Sequence, residues 1–435
     1  MKIHRSVAMW VGCILFVAIS CEEAQALPVF ARKYGVSCQN CHTAFPNLTP
    51  FGKAFKKNGL RFPGEGSEYE TEGQPLGTDK DKKNFPHSVY PSSLTKFPPF
   101  ALMIESTFDS LPKSSATNEK VPFQGFGGTA GIFSAGTIGN HFSLWGGVEF
   151  ESATDATTGV KTVDVGVERV YGVIRPFEKP TFLAKVGSFE PTLLAVSEHR
   201  SLLGGYFVLN DRTIGDNAFT PEASQQGVEF NGILGNGRFG YYAGIVEGNN
   251  NRLNNAKDFY GRVEYKIGGL RLDGVEDEHS KVFADRPWRD DGVTLGAFGY
   301  MGFADVLLVP ATAGPYQKDQ FEMFGADADI NYSNFITDIG FVRQQNNHPI
   351  VATPAVSVGT NQLFTEINYV HYWFIPGVRY EWFSNSLSHD HRVTIGSTFV
   401  IRPNVKAYVR GIFENAASAG FMSKPEVLAG LKMGI

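Results

Sequence analysis

Cys38 and Cys41 stand three positions apart and His42 follows at once, in the run Ser37-Cys38-Gln39-Asn40-Cys41-His42. This is the attachment pattern of c-type haem. Two thiols on one helical turn reach the two vinyl groups along one edge of a porphyrin. The imidazole that follows projects beneath the ring and gives a nitrogen to the iron. A thioredoxin-like pair would need a βαβ setting, and a zinc site would need two further ligands. The residues therefore predict one covalent haem c bound by Cys38, Cys41 and His42, with His42 as the iron ligand. The sixth ligand stays open among His87, Met103, His141 or none. His389-Asp390-His391 is a second cluster that could take a metal ion. Two histidines with one spacer make an incomplete site, and the segment reads as a solvated external loop.

The flanks of the motif suit a small helical domain wrapped around a haem. Phe30 and Tyr34 lie one turn apart. Thr49 is placed to cap a helix with Pro50 at its first position. Phe51, Ala54 and Phe55 would share one face of that helix, Lys53, Lys56 and Lys57 the other, and Asn58-Gly59 would end it. Between Leu27 and Pro63 there are six basic residues and no acidic one: Arg32, Lys33, Lys53, Lys56, Lys57 and Arg61. Haem propionates, lipid head groups, an acidic partner or plain solvent would each suit this charge. So short a segment needs a staple to fold, either the covalent haem or an enclosing barrel. Gly64 to Pro99 reads as a connector.

The first residues read as an export signal. Lys2, His4 and Arg5 precede an apolar run from Val7 to Ser20, and Ala24-Gln25-Ala26 fits a cleavage site. Cys21 only loosely fits a lipidation site. Cleavage before Leu27 removes two bases and two acids, so the net charge of −5 is unchanged. It also removes Cys13 and Cys21, leaving only the motif cysteines. Mild acidity gives no support for nucleic-acid binding. No later apolar run is long enough for a membrane helix, so a mature membrane form would be a barrel.

From Phe100 onward, stretches of period-two alternation succeed one another. They include Phe100–Phe108, Phe126–Ile138, Phe142–Phe150, Val163–Val167, Phe182–Ser188, Val228–Leu234, Phe239–Val246 and Phe259–Ile267. The set continues with Val293–Met301, Phe321–Ile330, Phe335–Arg343, Leu363–Val370, Ile375–Phe383, Val393–Ile401, Val405–Phe413 and Val427–Ile435. About sixteen strands lie within the range of outer-membrane barrels. Tight turns at Gly139-Asn140, Gly235-Asn236-Gly237, Ser333-Asn334 and Pro403-Asn404 alternate with long stretches such as Ser110–Lys120, Pro191–Ala223, Gln345–Asn361 and Ser384–Asp390. Short periplasmic turns with long external loops are the habit of such barrels. Gly268–Asp291 breaks the rhythm and reads as a periplasmic insertion. The expected organisation is a signal peptide over 1–26, a monohaem cytochrome c-like domain with its connector over 27–97, and a mainly β, about 16-stranded antiparallel outer-membrane barrel over 98–435.

An exported motif of this kind joined to a porin-like barrel resembles the fused cytochrome–porin family of outer-membrane cytochromes. The specific likeness lies in Leu27-Pro28-Val29-Phe30-Ala31-Arg32, in Ser37 to Pro46, and in Phe51-Gly52-Lys53-Ala54-Phe55. The terminal Ile435, where many barrels end on an aromatic residue, departs from the usual assembly signal. The resemblance implies oxidation of extracellular Fe(II) and inward passage of the electron to a periplasmic c-type cytochrome. It reaches this chain residue by residue only at Cys38, Cys41 and His42. Outward transfer to an external acceptor is equally compatible, as is a solute porin with the haem domain as a plug. A haem peroxidase would need a distal acid–base pair, which the sequence does not show. No catalytic residue is assigned.

Overall fold

The computed structural model describes residues 29–63, 83, 100–110, 128–138, 140–154, 161–248, 256–277, 285–307, 316–352, 356–416 and 426–434. The signal segment 1–26, His87 with most of the connector, the loop Ser110–Lys120 beyond Ser110, and Ile435 lie outside the described residues. Two short helices, α1 (Val29–Tyr34) and α2 (Cys38–Cys41), lead into a two-stranded ribbon, β1 (His42–Ala44) and β2 (Asn47–Leu48), and then α3 (Pro50–Lys57). Sixteen strands follow: β3 (Phe100–Ser110), β4 (Thr129–Ile138), β5 (Phe142–Thr154), β6 (Lys161–Ile174), β7 (Leu183–Phe189), β8 (Gln225–Leu234), β9 (Phe239–Val246), β10 (Asp258–Gly268), β11 (Gly292–Leu307), β12 (Tyr316–Tyr332), β13 (Phe335–Asn346), β14 (Val358–Tyr369), β15 (Phe374–Ser384), β16 (His389–Arg402), β17 (Val405–Ala416) and β18 (Glu426–Gly434). Each pairs antiparallel with its neighbours, and β18 pairs with β3 to close the barrel.

The barrel is apolar outside and polar within. Along β10, Val263, Tyr265 and Ile267 are about half exposed, whereas Asp258, Arg262, Glu264 and Lys266 are buried. A period of two allows this only if alternate residues face opposite sides, and a one-residue slip would put the charges on the apolar face. Val163, Val165 and Val167 are likewise exposed on β6. Tyr332, Phe335, Tyr372 and Trp373 stand exposed around the short-turn rim, where lipid-facing barrels place an aromatic girdle. Among the described residues no helix is long and apolar enough to cross a membrane. At the tight turn between β8 and β9, Gly235, Asn236 and Gly237 all have positive φ (57°, 53° and 78°), as a two-strand reversal of this hand requires.

Two segments turn inward. Pro191–Ala223, expected as an external loop, folds into the lumen and carries the one-turn helix α4 (Val208–Asp211). The reason is its composition. Leu193, Leu194, Val196, Phe207 and Phe219 join Tyr260, Phe298, Tyr300, Phe321, Met323 and Phe364 of the wall in a hydrophobic core. Wall carboxylates satisfy the loop backbone: Leu202 N donates to Glu366 Oε1 at 3.1 Å, Ala195 N to Asp327 Oδ2 at 3.1 Å, and Val208 N to Glu381 Oε1 at 2.5 Å. The second inward segment is residues 29–63, which sit in the lumen toward the short-turn end. Their anchors lie there: Ser143 Oγ donates to Gly59 O (2.7 Å), Arg61 Nη2 to Phe142 O (3.0 Å), and Asn58 Nδ2 to Asp273 O (2.7 Å). Asp273 belongs to the stretch between β10 and β11, so the interruption at 268–291 helps hold the plug.

Candidate haem-attachment site

Ser37 caps α2, accepting from Gln39 N at 3.4 Å, and so opens the single turn that carries Cys38 and Cys41. His42 leaves that turn in extended conformation. Its Nδ1 lies 3.1 Å from the carbonyl oxygen of Pro46. A carbonyl only accepts, so Nδ1 carries the proton and the lone pair of Nε2 is left for a metal. This is the outer bond that commonly orients a ligating imidazole. Burial, against the backbone bonds from Pro46 and Asn47, pushes the His42 pKa down to about 4, keeping the ring neutral at physiological pH. Burial also raises Cys38, and burial followed by the neighbouring Cys38 pushes Cys41 up to about 12. Both are free thiols.

α3 holds the motif turn in place. Thr49 caps α3 by accepting from Gly52 N at 3.1 Å, and its hydroxyl donates to Asn40 O at 2.6 Å. Thr49 N donates to Cys41 O at 2.9 Å. Gly52 allows this approach, since a Cβ there would lie 2.1 Å from Cys41 O. Behind the turn, Phe55 meets Phe30 at 4.9 Å between ring centroids, and Tyr34 meets Phe62 at 4.5 Å, with Trp145 of the wall packed against this cluster.

The basic face has the barrel itself as its partner. Lys53 pairs with Asp329, Lys57 with Glu264, and Lys33 donates to Thr137 Oγ1. Burial pulls on Lys53, but Asp329 and Asp338 outweigh it and the pKa is raised. Lys57 is lowered by burial despite Glu264. Lys56 is pushed down to about 7, first by burial and then by Arg200. Lys53 and Lys57 are thus paired with carboxylates of the barrel wall.

A cavity of about 480 Å³ lies between plug and wall. Cys38, Cys41 and His42 line it together with Met103, Phe133, Trp145, Tyr171, Arg169, Lys185, His199 and Arg200. Two free thiols and an imidazole with an open Nε2 on one cavity are the donor set a c-type haem takes, so the residues present fit that group. Of the sixth-ligand candidates, Met103 is buried and lines the cavity. His141 stands exposed at the short-turn rim, its Nδ1 2.8 Å from Arg175 O, and does not line it. His87 lies outside the described residues. His199 also lines the cavity, and burial followed by Arg169 pushes its pKa down to about 3. Sequence reasoning missed it because a histidine in a loop carries no periodicity, and only the inward fold of that loop brings it here.

No family model and no curated relative matches the sequence. Solved structures do match. The anion-selective porin of Comamonas acidovorans aligns with a TM-score of 0.53 at 11% identity, over 77% of this chain and 98% of that one. OmpF of Salmonella typhi gives 0.52 at 12%, over 77% and 97%. OmpT of Vibrio cholerae in its trimer form gives 0.50 at 14%, over 77% and 98%. The chain has the porin fold. The inward loop and the N-terminal plug are set within that frame.

Proposed function

We propose that this protein carries electrons through an outer membrane by way of one c-type haem, attached at Cys38 and Cys41 and ligated by His42. The observation that carries the reading is the position of this turn, which lines a cavity whose other wall is the barrel. Bound there, the group supplies a one-electron iron couple. The chain's residues do the rest. Pro46 O fixes the His42 tautomer, and the aromatic cluster excludes water. Arg169, Lys185 and Arg200 line the same cavity, each paired with a carboxylate of the chain: Glu190 for the two arginines and Glu229 for Lys185. Held inside the lumen, even toward the short-turn end, a redox group shortens the path across an apolar band about 25 Å tall.

The fused cytochrome–porin resemblance extends the proposal to partners, with extracellular Fe(II) as donor and a periplasmic c-type cytochrome as acceptor. Lipid surrounds the apolar wall. Rapid mixing of Fe(II) with the oxidised, purified protein is the test. The expected result is a reduced-haem spectrum; a spectrum that stays oxidised would count against iron as donor. Reduction by a periplasmic donor followed by reoxidation by an external acceptor would indicate outward flow.

A second reading, a solute porin with a haem-domain plug, draws on the porin fold. Inside the lumen, the core of Phe207, Phe219, Tyr300 and Phe321 narrows the barrel on one side. Steady ion conductance of the intact protein in planar bilayers would favour the second reading.

A further inference from the structure

His389 and His391 begin β16 rather than lying in a loop. Asp390 between them is buried toward the lumen, where it accepts from Arg212 Nε at 3.3 Å. By strand alternation both imidazoles face the outer surface at the long-loop rim. On β15, Trp382 lies opposite His391 and Ser384 opposite His389. The two Nε2 atoms converge to 3.3 Å. Each Nδ1 is engaged by a hydroxyl: His391 Nδ1 lies 2.8 Å from Tyr380 Oη, and His389 Nδ1 3.0 Å from Ser384 Oγ.

We propose that His389 and His391 form a binding site for one borderline divalent transition-metal ion, such as Zn²⁺ or Cu²⁺, on the outer face of the barrel. This goes beyond the haem reading and stands apart from it. In the tautomer in which each Nδ1–H donates to its hydroxyl, the two Nε2 lone pairs face each other, an arrangement that a cation between them would satisfy. Two metal–nitrogen bonds of about 2.05 Å at the tetrahedral angle set the nitrogens about 3.3 Å apart. The separation of the two Nε2 atoms, 3.3 Å, is compatible with that span. Imidazole donors select zinc and copper over magnesium and calcium. The hydroxyls supply the orienting bonds that ligating histidines usually have. Among the described residues no group of three or more His, Cys, Asp or Glu gathers to hold a metal. The protein therefore offers two ligands here, and water or an anionic head group completes the shell.

The test is titration of the full-length haem protein in detergent with Cu²⁺, read by electron paramagnetic resonance, with Zn²⁺ as competitor. One equivalent of copper with two imidazole nitrogens is expected, displaced by Zn²⁺ and lost in both His389→Ala and His391→Ala. Tyr380→Phe keeps both ligands and is expected to bind about 10-fold more weakly. Heat-dependent gel migration checks that each variant is folded. Copper binding unchanged in folded His389→Ala would overturn the site. So would wild-type protein with no two-imidazole copper signal, which would mean that a shared proton alone explains the short contact. Should either alanine variant fail to assemble, an unweakened Tyr380→Phe would equally overturn it.

Discussion

At the scale of single residues, Gly52 shows how closely the motif is held. A methyl at this position must push α3 away from Cys41 O. Gly52→Ala is expected to cost about 1–3 kcal/mol in denaturant unfolding and to lower the fraction of protein carrying haem. Wild-type stability and loading would argue that α3 does not position the turn. A pH effect belongs to Glu222, in the inward loop. Burial, then Glu190 and Glu198, push its pKa up to about 8. A raised acid binds its proton in the fold at pH values where the unfolded chain has lost it, so its contribution is intact at pH 4 and lost as pH rises through about 8. Glu222→Gln is thus expected to match wild type in urea resistance near pH 4 and to exceed it near pH 8, by about 2 kcal/mol or more. The reverse order would contradict the burial assigned to this loop. Cys38, Cys41 and His42 stand out in the sequence because the chemistry proposed for them demands fixed spacing, and Thr49-Pro50 was legible because capping is local. His199 and the convergence of His389 on His391 were not. The first depends on a loop entering the lumen, and the second on a strand starting where Ser388-His389-Asp390 suggests a loop.

At the scale of elements, the decisive contact is between α3 and the wall. The amphipathic pattern of Phe51, Ala54 and Phe55 against Lys53, Lys56 and Lys57 was readable, but the destination of the lysines was not. Sequence distance hides it, since Glu264 and Asp329 lie more than 200 residues away. Removing Lys57 leaves the buried Glu264 uncompensated, at about 3–5 kcal/mol, whereas the solvent-screened Lys53 pair contributes about 1 kcal/mol or less. Lys53→Ala combined with Lys57→Ala is therefore expected to loosen the plug, seen as faster proteolysis before Pro63 and a severalfold rise in bilayer conductance. Conductance equal to wild type would mean that these pairs do not hold the plug. The barrel strands were the most legible elements, because alternation is imposed locally by a lumen that wants charge and a lipid face that rejects it. Pro191–Ala223 was misread because its apolar residues follow no strand period, and long loops in barrels usually face outward.

At the scale of the whole molecule, sixteen strands enclose two inserted segments: a plug toward the short-turn end and an apolar loop packed on β10 to β14. The porin fold supplies the wall, and the N-terminal segment supplies the chemistry proposed for it. The central claim is that one covalent porphyrin belongs to this barrel. Intact-mass spectrometry of the folded protein extracted from outer membranes tests it most directly, with wild type set beside the Cys38→Ala, Cys41→Ala double variant. The mass of one haem is expected on the wild-type chain and none on the variant. A wild-type barrel that is correctly folded in the membrane yet carries only its polypeptide mass would contradict it.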